Sequence, residues 1–217
     1  MVFELFDPDQ PLEITHRNLP HWYQPGVTYF VTFRTIDSMP QETLDSWYAQ
    51  RNEWLKKHGI EPKDDDWCDH FHDLAEVEQA EFHNRFSAAY HQALDKGQGD
   101  CLLQQPELAR IVADSLLHFD GDRYHIGDFV IMPNHVHLLI CLLGETKLRK
   151  QCKSWKKYTA TQIHGALGRH GHFWQAESFD HLVRSPEQFA YFQHYIADNP
   201  RKAGLSQGEF FLYQLPK

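Results

Sequence analysis

Two histidines near the middle of the chain have a spacing that could bind a metal ion. His135 and His137 flank one valine in the run MPNHVHLLI (132–140). Side chains alternate between the two faces of a β-strand, so both imidazoles would lie on the same face. Two adjacent imidazoles can chelate one divalent cation. The chain has 16 histidines, so such a pair also arises by chance or on a solvated sheet surface, and the spacing alone leaves both interpretations open.

A tyrosine and an asparagine near the C-terminus are spaced for a shared role. Tyr195 and Asn199 are four residues apart, so in a helix they lie on one face. A phenol and an amide oxygen could then approach the same metal-bound phosphate, with the phenol as nucleophile. A structural role is the alternative, because Phe189, Phe192 and Ile196 could form an apolar stripe with Tyr195 that packs on a sheet.

The elements that must position these residues alternate between strands and helices. Strands are predicted at 27–34, 124–132, 136–142 and 179–184. Helices are predicted at 40–58, 76–93, 106–119, 147–167 and 185–199. The last helix should have Ser185 as N-cap, with Gln188 closing a capping box, and should end near Asn199, because proline disfavours helix in the residue before it. This order predicts an α+β fold with helices on an antiparallel β-sheet.

Charge is divided unevenly along the chain. Residues 1–122 hold 9 Lys+Arg and 23 Asp+Glu, a balance of −14, whereas residues 123–217 hold 12 and 7, a balance of +5, which together give −9. The C-terminal half is therefore compatible with a polyanionic partner, and the acidic half is not expected to contact DNA broadly. The acidic run at 64–66 predicts a solvated loop over 61–73 rather than a metal site.

Length and composition bound the class of protein. A chain of 217 residues with 41% hydrophobic residues is expected to form one globular domain. No apolar run reaches the roughly 18 residues of a membrane span, and the N-terminus has no signal-peptide pattern, so we expect a soluble cytoplasmic protein. The cysteines lack paired spacing, which predicts reduced thiols at Cys68, Cys101, Cys141 and Cys152.

Three motifs in the same order resemble one family. The runs MPNHVHLLI (132–140), FWQAESFDHLVR (173–184) and YIADNPRKAGL (195–205) look like those of the REP-associated tyrosine transposases, of the HUH single-tyrosine class. The run VTYFVTFR (27–34) fits the family's first strand. The resemblance implies a ferredoxin/RRM-like HUH transposase fold in a single domain, residues 1–217. Its core would cover about 20–36 and 101–207, with an acidic helical insertion over about 38–100.

The resemblance also implies a mechanism. His135, His137 and Asn199 match the metal-binding positions, and Tyr195 matches the nucleophile. The metal would be Mg²⁺ or Mn²⁺, and attack by the tyrosine would leave a 5'-phosphotyrosine and a free 3'-hydroxyl. The implied partner is single-stranded DNA with a hairpin, which places the protein at the nucleoid. A homodimer is compatible with the family.

A basic helix provides candidate DNA contacts. Residues that could meet phosphates or stack on an unpaired base are Lys150, Lys153, Trp155, Lys156, Lys157, Arg201 and Lys202. The alternative is a solvated helix face, with Trp155 in the core.

The segment from 37 to 100 is longer and more acidic than its counterpart in compact relatives, which weakens the case for broad DNA binding. Two other functions therefore stay open. One is a non-catalytic DNA-binding protein that keeps the fold. The other is a metal-dependent hydrolase that uses the histidine pair with water as nucleophile.

Overall fold

A computed structural model describes residues 3–16, 20–64 and 67–216. The strands are β1 (Glu13–His16), β2 (Pro20–Tyr23), β3 (Thr28–Arg34), β4 (Tyr124–Met132), β5 (His135–Leu142), β6 (Phe179–Leu182) and β7 (Phe211–Tyr213). The α-helices are α1 (Gln41–Lys57), α2 (Trp67–His72), α3 (Glu76–Phe82), α4 (Ala88–Asp95), α5 (Pro106–Leu117), α6 (Leu148–Leu167) and α7 (Pro186–Lys202). A π-helical turn, His83–Ser87, joins α3 to α4.

Five strands form the central sheet in the order β6-β3-β5-β4-β7, and every neighbouring pair is antiparallel. The chain order β3-α5-β4-β5-α6-β6 with this strand order is the ferredoxin/RRM-like arrangement. The predicted α+β fold class is therefore confirmed. Strands β1 and β2 pair separately as a two-stranded hairpin.

The two faces of the sheet have different roles. On one face, apolar side chains such as Val31 and Val136 pack against α5 and α6 and form the largest core cluster. On the other face, Phe30 and Leu139 pack against α7, where Ile196 is fully buried. The one-residue alternation within β3 and β5 separates these two layers. Any polar residue on the α7 face is thus kept away from the main core.

The helices between β3 and α5 have apolar clusters of their own. The larger cluster is aromatic and includes Trp54, Trp67, Phe71, Phe82 and Phe86. A smaller one joins Leu94 of α4 to Met39 and Leu44. The domain boundaries given above, including an insertion over about 38–100, stay a prediction.

The predicted acidic loop over 61–73 is partly wrong, because it contains α2. Trp67 and Phe71 are one helical turn apart and are buried in the same cluster as Trp54. Their burial favours a short helix despite the acidic residues around them. Residues 65–66 of the acidic run lie outside the described residues.

Helix α7 begins as predicted but continues past its expected end. The Ser185 hydroxyl accepts a hydrogen bond from the Gln188 backbone N–H at 3.2 Å, and the Gln188 side chain reaches back to the backbone N–H of Arg184 rather than to that of Ser185. The prediction that proline ends the helix near Asn199 is wrong, because the helix runs through Pro200 to Lys202. Asn199 and Pro200 are both buried, and this packing outweighs the local preference of a residue before proline.

Within the described ranges, no helix is long and apolar enough to cross a membrane. Cys101, Cys141 and Cys152 have free thiols, and the side chain of Cys68 lies outside the described set.

The β1–β2 hairpin is fastened to the sheet by an ionic cluster. The imidazole of His21 on β2 bonds through Nδ1 to the carboxylate of Asp180 on β6, and its Nε2 lies 3.3 Å from Glu177 Oε1. Burial alone would lower the pKa of His21, but the hydrogen bonds to Asp180 and Glu177 raise it to about 9. The histidine is therefore cationic in the folded protein at neutral pH.

This cluster predicts a loss of stability at alkaline pH. The folded-state pKa of His21 lies above the ordinary value of 6.5, so the stabilisation is complete below about pH 6.5 and is lost as the pH rises through about 9. The change is on the order of 3 kcal/mol in the free energy of unfolding. Denaturant titrations at pH 6 and pH 9.5 should show this loss in the wild type and a smaller loss in His21→Gln. An equal loss in both proteins would contradict the prediction.

Candidate functional site

His135 and His137 lie at the start of β5, on the face of the sheet that packs against α7. In the β3–β5 register they stand opposite Arg34 and Thr32. Their side chains share one face, as the spacing predicted, with ring centroids 4.6 Å apart. Both are buried, with His135 1% and His137 0% exposed. They are therefore not solvated surface histidines.

Hydrogen bonds orient both imidazoles in the same way. The Nδ1 atom of His135 lies 2.7 Å from Asn134 Oδ1, and the Nδ1 atom of His137 lies 2.7 Å from Thr32 Oγ1. An amide oxygen only accepts, so Nδ1 of His135 carries the proton and Nε2 has a free lone pair. Both Nε2 atoms are buried and have no hydrogen-bond partner among the described residues. Metal-binding histidines have this arrangement, in which one ring nitrogen is held by the protein and the other is free for the ion.

A carboxylate from α4 completes the donor set. Asp95 Oδ1 lies 3.7 Å from His135 Nε2, and the ligand atoms of Asp95, His135 and His137 all lie within 4.8 Å of one another. Ligand atoms about 2.1 to 2.3 Å from one ion are separated by about 3 to 4.5 Å. These three side chains could therefore hold a divalent metal ion.

Burial keeps the two imidazoles in the form that binds metal. It lowers the pKa of His135 to about 3 and holds the pKa of His137 well below its ordinary value. Both rings are consequently neutral at physiological pH, and a metal ion does not compete with a proton for Nε2. Burial also raises the pKa of Asp95, while the hydrogen bond from Asn199 and the charge of Lys202 act in the opposite direction.

Helix α7 brings Tyr195 and Asn199 to the histidine pair. The ring centroid of Tyr195 lies 5.1 Å from that of His137. Asn199 is 0% exposed, and its Nδ2 lies 3.4 Å from Asp95 Oδ1. The Tyr195 hydroxyl and Asn199 Oδ1 are buried and find no hydrogen-bond partner in the described part of the chain. Four buried polar atoms without partners thus belong to the four residues that the sequence singled out.

The apolar stripe considered as the alternative is also present. Phe192 stacks on Phe30 with ring centroids 4.3 Å apart, and Tyr195 meets Phe30 edge-on at 5.8 Å. Tyr195 therefore has both roles. Its ring packs on the sheet, and this packing holds its hydroxyl beside the histidines.

The phenol of Tyr195 is strongly biased towards its neutral form. Burial raises its pKa, and the nearby carboxylate of Asp95 raises it further. A positive charge beside the hydroxyl would be needed to make it a nucleophile at neutral pH. A metal ion at the histidine pair would supply that charge, and the Lys202 ammonium lies 5.5 Å from the Tyr195 ring centroid.

Sequence reasoning missed two residues of the site, His91 and Asp95, both on α4. The His91 ring lies 5.5 Å from that of His137 and 5.9 Å from that of Tyr195, and its buried Nε2 has no partner within the described ranges. Burial lowers its pKa to about 4. His91 and Asp95 are four residues apart, the same spacing as Tyr195 and Asn199, but the predicted helix ended at residue 93, whereas α4 continues to Asp95.

The predicted DNA contacts on α6 do not lie beside these residues. Helix α6 packs on the opposite face of the sheet. Trp155 is 2% exposed and its Nε1 donates to the Tyr124 hydroxyl at 3.2 Å, so the structure places it in the core and its ring is not available to a base. The Lys156 ammonium bonds to the backbone carbonyl of Ala176 at 2.7 Å. The exposed lysines of this helix include Lys150, Lys153 and Lys157.

Arg201 and Lys202 lie on the same helix as Tyr195. Arg201 forms a two-point ion pair with Asp198 at 2.6 and 2.9 Å, and Lys202 lies 3.6 Å from the same carboxylate. An open cavity of about 370 Å³ adjoins them and is lined by Tyr191, His194, Tyr195, Ala197, Asp198 and Lys202. Lys202 and Tyr195 therefore line the same open cavity.

Comparison with known proteins gave few matches. No family model matches the chain. No curated protein matches it. Among solved structures, it is similar to a REP-associated tyrosine transposase bound to a REP hairpin, at 15% sequence identity and a TM-score of 0.47. The match covers 86% of this chain and 74% of the other.

The site predicts that a transition metal stabilises the protein. Mn²⁺ should raise the melting temperature more than Mg²⁺ at equal concentration, because two imidazoles favour the softer ion and Mg²⁺ prefers oxygen ligands. At about 100 times its dissociation constant, a ligand adds roughly 2.7 kcal/mol of stability. His137→Gln should lose the Mn²⁺ effect, and the exposed-site control His170→Gln should keep it. Equal Mn²⁺ shifts in both variants, measured by thermal unfolding, would contradict the assignment.

Proposed function

We propose that this protein is a metal-dependent, single-tyrosine DNA transposase-type nuclease. It cleaves and rejoins single-stranded DNA through a 5'-phosphotyrosine intermediate. One observation carries the proposal: the Tyr195 ring lies 5.1 Å from that of His137, and the Tyr195 hydroxyl and both histidine Nε2 atoms are buried without partners among the described residues. The sequence motifs around these residues support the same chemistry.

His135, His137 and Asn199 would hold Mg²⁺ or Mn²⁺, of which the imidazole donors favour Mn²⁺. The bound ion would supply Lewis-acid chemistry, by withdrawing charge from a non-bridging oxygen of the scissile phosphate. The chain's own residues then set the geometry. Packing against Phe30 holds the Tyr195 ring in place, and Thr32 and Asn134 keep both Nε2 atoms directed at the same space.

Tyr195 carries the covalent step. Its hydroxyl releases its proton to solvent as its oxygen forms a bond to phosphorus, the bond from phosphorus to the 3' oxygen breaks, and that oxygen takes up a proton and leaves as a 3'-hydroxyl. The phosphotyrosine retains the phosphodiester energy, so a 3'-hydroxyl can attack it and rejoin the strands without ATP. Burial of the two histidines and of the Tyr195 hydroxyl also limits access of water, which would otherwise hydrolyse the intermediate.

The proposed substrate is single-stranded DNA with a flanking hairpin, as the sequence resemblance implies. We propose that Arg201 and Lys202, which follow Tyr195 on α7, contact phosphates near it. The exposed Lys150, Lys153 and Lys157 lie on the far face of the sheet, so we propose that they contact DNA away from the cleaved bond. Such an enzyme would act at the nucleoid. A homodimer stays a prediction that light scattering in solution can test.

The test is the formation of a covalent adduct. The protein is mixed with Mn²⁺ or Mg²⁺ and labelled single-stranded hairpins from repeats flanking its gene, and a denaturant-resistant protein–DNA band is measured. Tyr195→Phe should abolish the band, because the nucleophile is removed, and His137→Ala should reduce it to background. Tyr213→Phe, on strand β7 and packed on the opposite face of the sheet, is the matched control and should retain it.

Other outcomes select the other functions. Cleavage that survives Tyr195→Phe would show that water is the nucleophile and that the protein is a metal-dependent hydrolase. Binding of the hairpins without an adduct under either metal would identify a non-catalytic DNA-binding protein.

A further inference from the structure

Helix α4 is packed directly over the histidine pair. It reaches the site from the helical segment between β3 and α5, from Gln41 to Asp95. The hydroxyl of Tyr90 accepts a hydrogen bond from Arg34 Nε at 2.8 Å, and Arg34 stands opposite His135 in the sheet. Five residues further along α4, Asp95 Oδ1 lies 3.7 Å from His135 Nε2.

We propose that α4 is part of the metal centre: Asp95 is a carboxylate ligand of the ion, and the bound ion fastens the segment Gln41–Asp95 to the sheet. This goes beyond the proposed strand transfer and does not depend on it, because metal binding needs neither Tyr195 nor DNA.

Charge balance favours a carboxylate in this position. His135 and His137 are buried, and an imidazole binds a metal ion as a neutral ligand, so two imidazoles alone would leave the full charge of a divalent cation uncompensated. An isolated buried charge is strongly unfavourable. Among the described residues, Asp95 is the acidic side chain that groups with both histidines within 4.8 Å.

A second contact couples the same helix to the geometry of His135. The amide nitrogen of Asn134 donates to the backbone carbonyl of Gln98 at 2.9 Å, just beyond the end of α4. This bond fixes which end of the amide faces His135, so Asn134 Oδ1 accepts from the imidazole Nδ1–H. Gln98, which follows α4, therefore helps to set the tautomer of His135 that leaves its Nε2 free for the ion.

Asn199 supports this role of Asp95 and does not replace it. Its Nδ2 lies 3.4 Å from Asp95 Oδ1 and orients the carboxylate, while its own Oδ1 has no partner in the part of the chain that is described. Asn199 Oδ1 is therefore free to bind an ion that the Asp95 carboxylate also binds. The two ligands come from different parts of the chain, α4 and α7, and a shared ion would link them across the site.

The coupling has a measurable consequence. If Asp95 binds the ion, Mn²⁺ stabilises the docked position of α4 by mass action. Mn²⁺ should then slow backbone hydrogen exchange in Ala88–Asp95. A metal site confined to the sheet and α7 would not slow exchange there beyond any general stabilisation, which exchange in the distant α6 reports.

The experiment measures Mn²⁺ affinity by calorimetry and hydrogen exchange by mass spectrometry, with and without Mn²⁺. Asp95→Asn keeps the size of the side chain and should weaken Mn²⁺ binding by at least about 10-fold and remove the slowing of exchange in α4. Asp73→Asn, an exposed residue before α3, makes the same charge change and should alter neither.

A second variant controls for misfolding of Asp95→Asn. Asp95→Glu keeps the carboxylate and should bind Mn²⁺ more tightly than Asp95→Asn, whereas a purely structural role of the aspartate would leave the two variants with equal affinity. Wild-type Mn²⁺ affinity in Asp95→Asn, or no change in α4 exchange on adding Mn²⁺ to the wild type, would overturn the inference. Each measurement is repeated in Tyr195→Phe, so failure of the strand-transfer proposal is seen separately.

Discussion

The site depends on one constraint, the fixing of two neutral imidazoles in a buried layer of the sheet. Thr32 and Asn134 occupy the Nδ1 atoms, and both Nε2 atoms are left without partners among the described residues. Buried polar groups without hydrogen bonds are unfavourable, typically by about 1 to 3 kcal/mol each. Their accumulation at one point, beside a phenol and a carboxylate, is what we expect of a site that binds a ligand.

The sheet allows this arrangement because it separates the main apolar core on one face from the histidine layer on the other. Residues such as Val136 and Leu138 on one face pack with α5 and α6 and form the main core, which provides most of the apolar burial. The opposite face can then carry histidines, while α7 and α4 cover it. Because His137 stands opposite Thr32 in the β3–β5 register, a slip of one residue would turn both histidines into the apolar core.

Local signals predicted much of this architecture. The two-residue spacing of His135 and His137, the four-residue spacing of Tyr195 and Asn199, and the Ser185 cap all depend on geometry within one element, and the structure shows each of them. The roles of these residues stay proposals.

The features that the sequence did not predict depend on long-range packing. Strand β3 ends 54 residues before α4 begins, and β4 begins 29 residues after α4 ends. No periodicity within α4 could therefore place Asp95 beside His135. Burial of Asn199 and Pro200 likewise extends α7 past its expected end. Trp155 illustrates the same limit, since an aromatic residue in a basic helix fits either a core or a DNA-binding surface until its partners are known.

The most direct measurement of the central claim is anomalous diffraction from crystals of the protein grown with Mn²⁺. The account predicts one Mn²⁺ peak about 2.1 to 2.3 Å from both His135 Nε2 and His137 Nε2, with an oxygen of Asp95 also in contact. Absence of manganese from this position in crystals saturated with the ion, with the two imidazoles instead hydrogen-bonded to protein groups, would contradict it.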